Sequence, residues 1–273
     1  MIDATLPKLG GFGLKAAGPM EQFEIHRLVP LTAGDVDISF TNSSLWMTIG
    51  VSAVLVFLFL ATSRRALIPG RLQAVAEMLY EFIANLVRDT IGHDGKKFFP
   101  YVFSLFTFIL VSNYIGLIPS LPGTPHELHV FTTTSHIIVT FALAMLTISI
   151  VIVYGIAKNG VKFLKLFAPS GVPLWLMPLL VPIELISFLS RPLSLSIRLF
   201  ANMFAGHIIL KLFAMFVVML LAAPVAFKAL SVVPFAASIG IFFLEILVAA
   251  LQAYIFTILT CMYLGDAAHA AEH

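Results

Sequence analysis

Long apolar runs alternate with short polar stretches along most of this chain. A run of about 18 residues without charge is long enough to cross a bilayer as a helix. Three runs of this kind predict transmembrane helices over residues 45–62, 98–121 and 130–157. A last run predicts another helix over residues 229–264. Together with the long apolar stretch over residues 172–227, the pattern predicts an all-α membrane protein with about five transmembrane helices.

The segment over residues 71–92 has a different pattern. Its apolar residues recur at steps of three and four, which is the helical period, and its charged residues occupy the other faces. A helix of this kind lies on a membrane surface or on a partner and does not cross the bilayer. We therefore predict one interfacial amphipathic helix, with an apolar face made of Leu72, Val75, Leu79, Phe82, Ile83, Leu86 and Val87.

The apolar stretch from Val172 to Phe227 is too long for one upright span. About 50 helical residues would extend roughly 75 Å. The hydrocarbon core of a bilayer is only about 30 Å thick. Either two spans or one strongly tilted helix over residues 172–222 fits this stretch, and the pattern alone leaves both open.

Composition makes the bilayer the solvent of this chain. Of its 273 residues, 60% are hydrophobic and only 11% are charged, whereas a soluble domain has roughly 25% charged residues. The net charge of +2 gives no reason to expect a nucleic acid partner. The single cysteine, Cys261, cannot form an internal disulfide. We expect no cofactor. We also expect no metal, because His126 and His129 in the 121–129 loop resemble a metal-binding pair only superficially.

The loop charges predict the orientation, since cytoplasmic loops are enriched in Lys and Arg. The loop after the first helix and the loop after residue 157 are basic, and the 121–129 loop has no Lys or Arg. Residues 1–44 are therefore predicted to be an extracytoplasmic leader with little regular structure. Residues 45–273 form a single membrane domain, and one crossing in each of the last two stretches leaves the C-terminus in the cytoplasm.

Ionisable residues in the long stretch mark its function. A central Arg costs about 2.5–3.5 kcal/mol on insertion scales, so such residues line an ion or proton path by default. Glu184, Arg191 and Arg198 are seven residues apart, so they share one helix face, and Asn202 lies close to it. His207 follows Arg198 by nine residues and is predicted to point to the opposite side.

Arg198 and Arg191 receive different interpretations. No acidic residue lies within a few positions of Arg198, which predicts a partner for it outside this chain. Arg191 is followed by Pro192 and is interpreted as a helix-end anchor near the cytoplasmic interface. Lys211 is interpreted as a snorkelling side chain.

The last helix carries a polar stripe of Ser238, Glu245 and Gln252, again seven residues apart. Small residues around this stripe let two helix backbones approach closely. We predict that His207 and Glu245 are partners across such an interface and form a proton relay, because a histidine exchanges protons near neutral pH. The plain alternative for Gln252 is a hydrogen bond that ties two helices together.

The sequence resembles subunit a of the bacterial F-type ATP synthases over nearly its whole length. The motif that carries this resemblance is Arg191-Pro-Leu-Ser-Leu-Ser-Ile-Arg-Leu-Phe-Ala-Asn-Met-Phe-Ala-Gly206. Leu251-Gln-Ala-Tyr-Ile-Phe-Thr-Ile-Leu-Thr-Cys-Met-Tyr-Leu264 resembles the last helix of the family, and Ser112-Asn-Tyr-Ile-Gly-Leu-Ile-Pro119 also fits it. The resemblance implies that the last two helices form a long, tilted hairpin, which favours the single-helix alternative for the 172–227 stretch.

The resemblance also implies the roles of individual residues. Arg198 takes the place of the arginine that faces the carboxylates of a rotating ring, and Asn202 matches the motif asparagine. His207 and Glu245 match two coupled sites of the family, one after the arginine motif and one in the last helix. In one well-known bacterial pattern the acid follows the motif and the histidine lies in the last helix, whereas here the two residues are exchanged. Asn113 matches a polar position at the outer entry, where Gly116 replaces an acid found in some members. Gln252 matches the glutamine that neighbours the arginine. Glu184 and Ser187 match positions linked to the cytoplasmic exit.

The expected partners are the c-ring subunits, the peripheral-stalk b subunits, the lipid bilayer and the transported proton. The expected location is the bacterial inner membrane. The chain lacks a Gly-x-x-x-x-Gly-Lys-Ser/Thr phosphate-binding loop, so it is not expected to bind ATP itself. Three competing interpretations are a stand-alone transporter or channel, a sodium-coupled synthase of the same architecture, and a structural scaffold.

Overall fold

The computed structural model describes residues 25–30, 32–33, 36–37, 39–63, 66, 68–118, 132–160, 163 and 175–269. Most of the predicted leader and the 121–129 loop lie outside the described residues. Within the described part, the elements in chain order are four short strands and seven α-helices.

The end of the predicted leader has more regular structure than expected. Strands β1 (Arg27–Val29) and β4 (Phe40–Thr41) pair antiparallel, and so do β2 (Thr32–Ala33) and β3 (Val36–Asp37). Asn42 joins this unit to the membrane domain, since its backbone N–H donates to the His26 carbonyl at 3.1 Å. The expectation of little regular structure is therefore wrong for the strand residues 27–29, 32–33, 36–37 and 40–41, where β-branched and aromatic side chains favour strand pairing.

The helices are α1 (Asn42–Ser63), α2 (Arg71–Ile91), α3 (Gly95–Gly116), α4 (Ile137–Asn159), α5 (Met177–Ala222), α6 (Val225–Lys228) and α7 (Val232–His269). Five segments of the described chain are long and apolar enough to cross a membrane. The predicted all-α membrane fold is thus confirmed. The five segments cover residues 42–63, 71–116, 137–159, 177–222 and 225–269.

Helices α2 and α3 meet at a sharp corner. Gly92 adopts φ +76° directly after α2, a conformation that favours glycine. Beyond the corner the two helices pack through aromatic pairs, including Tyr80 with Phe99 and Phe82 with Phe106, whose ring centroids are 4.6 and 5.8 Å apart. Most charged side chains of α2 stay exposed. The position of α2 along the membrane surface remains a prediction.

Helix α5 continues without interruption over 46 residues. A helix of this length extends roughly 69 Å, so it crosses a bilayer of about 30 Å only if it is strongly inclined. This single helix rules out the two-span alternative for the 172–227 stretch. Pro182 and Pro192 both lie inside α5, so the interpretation of Arg191 and Pro192 as a helix end is wrong.

Helix α7 packs antiparallel against α5, and together they form the long hairpin. It begins three residues later than predicted, after α6 and a 3₁₀ turn over Ala229–Ser231, and it continues five residues past the predicted end at 264. Its last turn is held by α4. The Lys158 ammonium donates to the Ala268 carbonyl at 2.9 Å, and the Asn159 amide donates to the Ala267 carbonyl at 2.7 Å. Lys158 also pairs with Asp94.

Helix α4 begins at Ile137, seven residues after the predicted start at 130. A 3₁₀ turn over Thr133–Ser135 precedes it. Serine and threonine hydroxyls compete with helical hydrogen bonds by bonding to nearby backbone groups, and here the Ser135 hydroxyl donates to the Thr132 carbonyl at 2.6 Å. All four hydroxyl residues from Thr132 to Ser135 are buried. They lie against α3 and α5, where the candidate site is built.

Candidate functional site

His207 is buried on α5 and bonded to the segment before α4. Its Nε2 atom lies 2.9 Å from the Thr132 hydroxyl. A Cβ atom added to Gly116 would overlap the Thr132 side chain, so only glycine leaves room for it there. The His207 ring orientation therefore depends on a threonine hydroxyl that is itself positioned by the end of α3.

Asn113 is fully buried on α3 and makes two hydrogen bonds. Its amide nitrogen donates to the Ala249 carbonyl on α7 at 3.1 Å, and its oxygen accepts a hydrogen bond from the Thr134 hydroxyl at 2.7 Å. Asn113 thus ties α3, α7 and the 3₁₀ turn together. The predicted entry residue lies in the same region as Thr132 and His207.

Glu245 is buried on α7, with only 5% of its surface exposed. Its carboxyl packs against α5 at Gly206, where an added Cβ atom would overlap the carboxyl. The Glu245 Oε2 atom has no hydrogen-bond partner among the described residues. The predicted direct pair with His207 is not formed. The imidazole bonds to Thr132 instead, and the carboxyl lies against the backbone of the residue that precedes His207.

Arg198 lies nine residues before His207 on α5 and on a different face of the helix from it. It is exposed, and it forms no ion pair with any described residue. One turn away, the Asn202 amide donates to the Gln252 oxygen on α7 at 3.0 Å. The Gln252 nitrogen is buried and has no partner among the described residues. His207 is buried and Arg198 is exposed, which agrees with the prediction that the two side chains point in different directions.

Arg191 joins two carboxylates from the two helices of the hairpin. Its guanidinium lies 3.5 Å from Glu184 on α5 and 3.6 Å from Asp266 on α7. The same guanidinium lies over the Tyr263 ring, 5.2 Å from its centroid. Ser187, one turn from Glu184, is exposed. The predicted common face of Glu184 and Arg191 is confirmed by their ion pair.

The polar residues of α5 fall on both sides of Arg198. At 1.5 Å per residue, Glu184 lies ~21 Å from Arg198 along the helix axis, and His207 lies ~14 Å from it in the other direction. One polar cluster contains His207 and Glu245 and the other contains Glu184. A buried imidazole and carboxyls can exchange protons, whereas a guanidinium stays charged. The arrangement therefore consists of two clusters of titratable side chains separated along α5 by the fixed positive charge of Arg198.

Two residues of these clusters were not predicted from the sequence. Thr132 was assigned to the apolar run 130–157, although a run of four hydroxyl residues is a poor start for a helix. Asp266 was missed because it follows the predicted helix end at 264. Among the described residues, no group of three or more His, Cys, Asp or Glu is arranged to hold a metal ion.

Comparison with known proteins gives one consistent family. Residues 44–265 match the family model described as ATP synthase A chain. The chain is 57% identical to ATP synthase subunit a of Mesorhizobium japonicum over 251 residues, covering 92% of this chain and 96% of the relative. It is 56% identical to ATP synthase subunit a of Chelativorans sp., covering 93% and 98% of the two chains. It is 54% identical to ATP synthase subunit a of Hyphomonas neptunium, covering 94% and 98%.

Proposed function

The chain belongs to the ATP synthase A chain family, and from that premise we propose that it carries protons to and from a rotating ring through two offset half-channels. Membership makes it a membrane-sector subunit of ATP synthase, not the catalytic subunit, and implies proton translocation. The observation that carries the proposal is Arg198, which is exposed, forms no ion pair with a described residue and lies between two polar clusters.

The outer half-channel runs along the buried hydroxyl turn before α4. Asn113, Thr134 and Thr132 present polar atoms in a region that is otherwise apolar, and their hydrogen bonds lead to His207. Glu245 lies beside Gly206, about 12 Å along the axis of α5 from Arg198. We assign the entry of the proton to Asn113 and the transfer toward the ring to His207 and Glu245. Because these two side chains do not bond directly, one water molecule or a side-chain movement completes the relay.

Arg198 is the barrier between the two half-channels. Its guanidinium stays charged at all physiological pH values, so a proton cannot pass through it. An exposed cation at membrane depth is stable only when it faces protein or water. A ring carboxylate in its ionised form satisfies that requirement. Asn202 and Gln252 form a hydrogen bond one turn away and hold α5 and α7 together at this level.

The inner half-channel lies around Glu184 and Ser187. Arg191 holds the Glu184 carboxyl by an ion pair and connects it to Asp266 near the end of α7. A carboxylate beside an exposed hydroxyl gives a proton a route to the aqueous phase. The proton that leaves the ring on this side of Arg198 is therefore released through Glu184 and Ser187.

The ring completes the cycle. A proton from the outer half-channel neutralises a ring carboxylate, and the neutral form turns into lipid at far lower cost than the charged form. After almost a full rotation, the carboxyl reaches the inner half-channel and loses its proton. Each elementary charge that crosses is worth about 2.3 kcal/mol per 100 mV of membrane potential. That work drives the rotation that is coupled to ATP synthesis.

The proposed partners are the c-ring subunits and the peripheral-stalk b subunits. The proposed location is the bacterial inner membrane, with the N-terminus outside and the C-terminus in the cytoplasm. The exposed apolar side chains along α5 and α7 support a position against lipid and a ring. Lys158 at the end of α4 and the basic residues of the α2–α3 corner support a cytoplasmic location for that side.

Transport assays on the assembled complex and on the purified chain test this function. We expect ATP to drive acidification of vesicles that contain the assembled complex, and we expect vesicles with the chain alone to transport nothing. A protonophore is expected to abolish the signal, and removal of sodium is expected to leave it unchanged. Transport by the chain alone would favour a stand-alone channel. Sodium-dependent transport that resists the protonophore would identify a sodium-coupled synthase.

Replacing Thr132 with valine is expected to slow proton translocation up to about tenfold. Valine keeps the shape but removes the hydroxyl that bonds to His207, and one such hydrogen bond is worth about 0.5–1.5 kcal/mol. The measurement is the rate of ATP-driven acidification as a function of pH, because a misoriented imidazole changes the pH profile.

Thr132→Ser is the matched control for this prediction. Serine keeps the hydroxyl and loses only the methyl group, so we expect a rate and a pH profile near those of the wild type. A wild-type profile for Thr132→Val would remove Thr132 from the proposed path.

A further inference from the structure

A cavity opens at the corner between α2 and α3, away from the proposed proton path. Its volume is about 630 Å³, within the range of roughly 300–1,000 Å³ that is typical of small-molecule sites. Tyr80, Val87 and Phe99 line its apolar part, and Arg88, His93 and Lys96 line its basic part. The cavity therefore has the two chemically different ends of a site for an amphipathic ligand.

The charge of the cavity is unbalanced. Arg88 and Lys96 are exposed and form no ion pair with a described residue. The nearby carboxylate of Asp94 is already engaged, because it pairs with Lys97 at 3.4 Å and with Lys158. No carboxylate lines the cavity among the described residues. The basic end is thus complementary to an anion.

The position of the cavity selects the kind of anion. Its apolar wall belongs to α2 and α3, which lead from the predicted membrane surface into the bilayer. Basic pockets beside transmembrane helices on the cytoplasmic side bind the head groups of anionic lipids, and aromatic residues such as Tyr80 favour the membrane interface. We propose that this cavity binds an anionic glycerophospholipid, with its phosphate on Arg88 and Lys96 and the start of an acyl chain against Val87 and Phe99.

The proposal is tested on the delipidated, assembled complex with phosphatidylglycerol as the probe, and phosphatidylcholine as the comparison lipid. We expect the double variant Arg88→Gln and Lys96→Gln to bind phosphatidylglycerol about 25-fold more weakly, about fivefold for each cation removed. Lys97→Gln is the matched control, because it removes a neighbouring charge that lies outside the cavity. Its affinity is expected to stay near that of the wild type.

A second variant tests the cavity itself. Ala84 lines the cavity, and Ala84→Trp fills it while leaving both cations in place, so we expect bound phosphatidylglycerol to be lost. Retention of the lipid by Ala84→Trp, or by the double variant, would overturn the proposal. Displacement of the lipid by inorganic phosphate would identify a site for free phosphate instead. A cross-link from Ala84→Cys to another subunit, with no bound lipid, would show that protein fills the cavity.

Discussion

Replacing Glu245 with glutamine is expected to reduce proton translocation by the assembled complex about 100-fold or more, which is the contribution typical of a group that transfers protons. Glutamine keeps the size of the side chain but cannot take up and release a proton. The carboxyl is buried against Gly206, and its Oε2 atom is held by no described residue. The other acid of α7, Asp266, lies about 32 Å away along the helix axis. The measurement is ATP-driven acidification of inverted vesicles.

Two further variants separate the chemistry of Glu245 from packing. Ser238 belongs to the same stripe of α7, but its hydroxyl donates to the Pro234 carbonyl of its own helix at 2.8 Å. Ser238→Ala is therefore expected to pump at nearly the wild-type rate. Glu245→Asp retains the acid and is expected to recover part of the rate. Wild-type pumping by Glu245→Gln would exclude Glu245 from the path.

The sequence predicted the polar faces of the two long helices well. A spacing of seven residues placed Glu184 and Arg191 on one face, where they form an ion pair. A spacing of nine residues placed His207 away from Arg198, and the two side chains do differ in burial. These predictions succeeded because a long, regular helix relates side-chain direction to residue spacing.

Contacts between distant parts of the chain could not be predicted in the same way. Thr132 and His207 are 75 residues apart in sequence and meet only because a 3₁₀ turn enters the bundle. Glu245 turned out to lie against Gly206, since glycine alone leaves space for the carboxyl. His207 and Glu245 were expected to pair because both can exchange protons. Their actual contacts depend on the space and the hydrogen-bonding groups around each side chain, which the sequence does not show.

The ends of elements were predicted less well than their centres. Hydropathy extended the predicted helix 130–157 back to residue 130, because threonine is not polar enough to interrupt an apolar run. The hydroxyls of Thr132, Thr134 and Ser135 instead bond to His207, to Asn113 and to the local backbone, and α4 begins only at Ile137. The C-terminal end of the last helix also differs from the prediction. Helix α7 continues to His269, and two carbonyls of its last turn accept hydrogen bonds from side chains of α4. Asp266 lies in that extension and was therefore missed.

Replacing Arg198 with alanine is expected to have the largest effect of all on coupling. The guanidinium is exposed, unpaired among the described residues and located between the two polar clusters. Without it, no fixed charge separates the outer half-channel from the inner one, and nothing favours loss of the proton from the ring carboxyl. Arg198→Lys keeps a charge, but an ammonium can lose its proton when desolvated. We therefore expect Arg198→Lys to pump much more slowly than the wild type.

The most direct measurement compares ATP-driven pumping with passive proton leak in vesicles that contain the Arg198→Ala complex. A barrier of charge between two half-channels predicts that pumping is lost while the leak under an imposed potential stays equal or rises. Normal pumping by the Arg198→Ala complex would contradict this mechanism and would make Arg198 a structural residue.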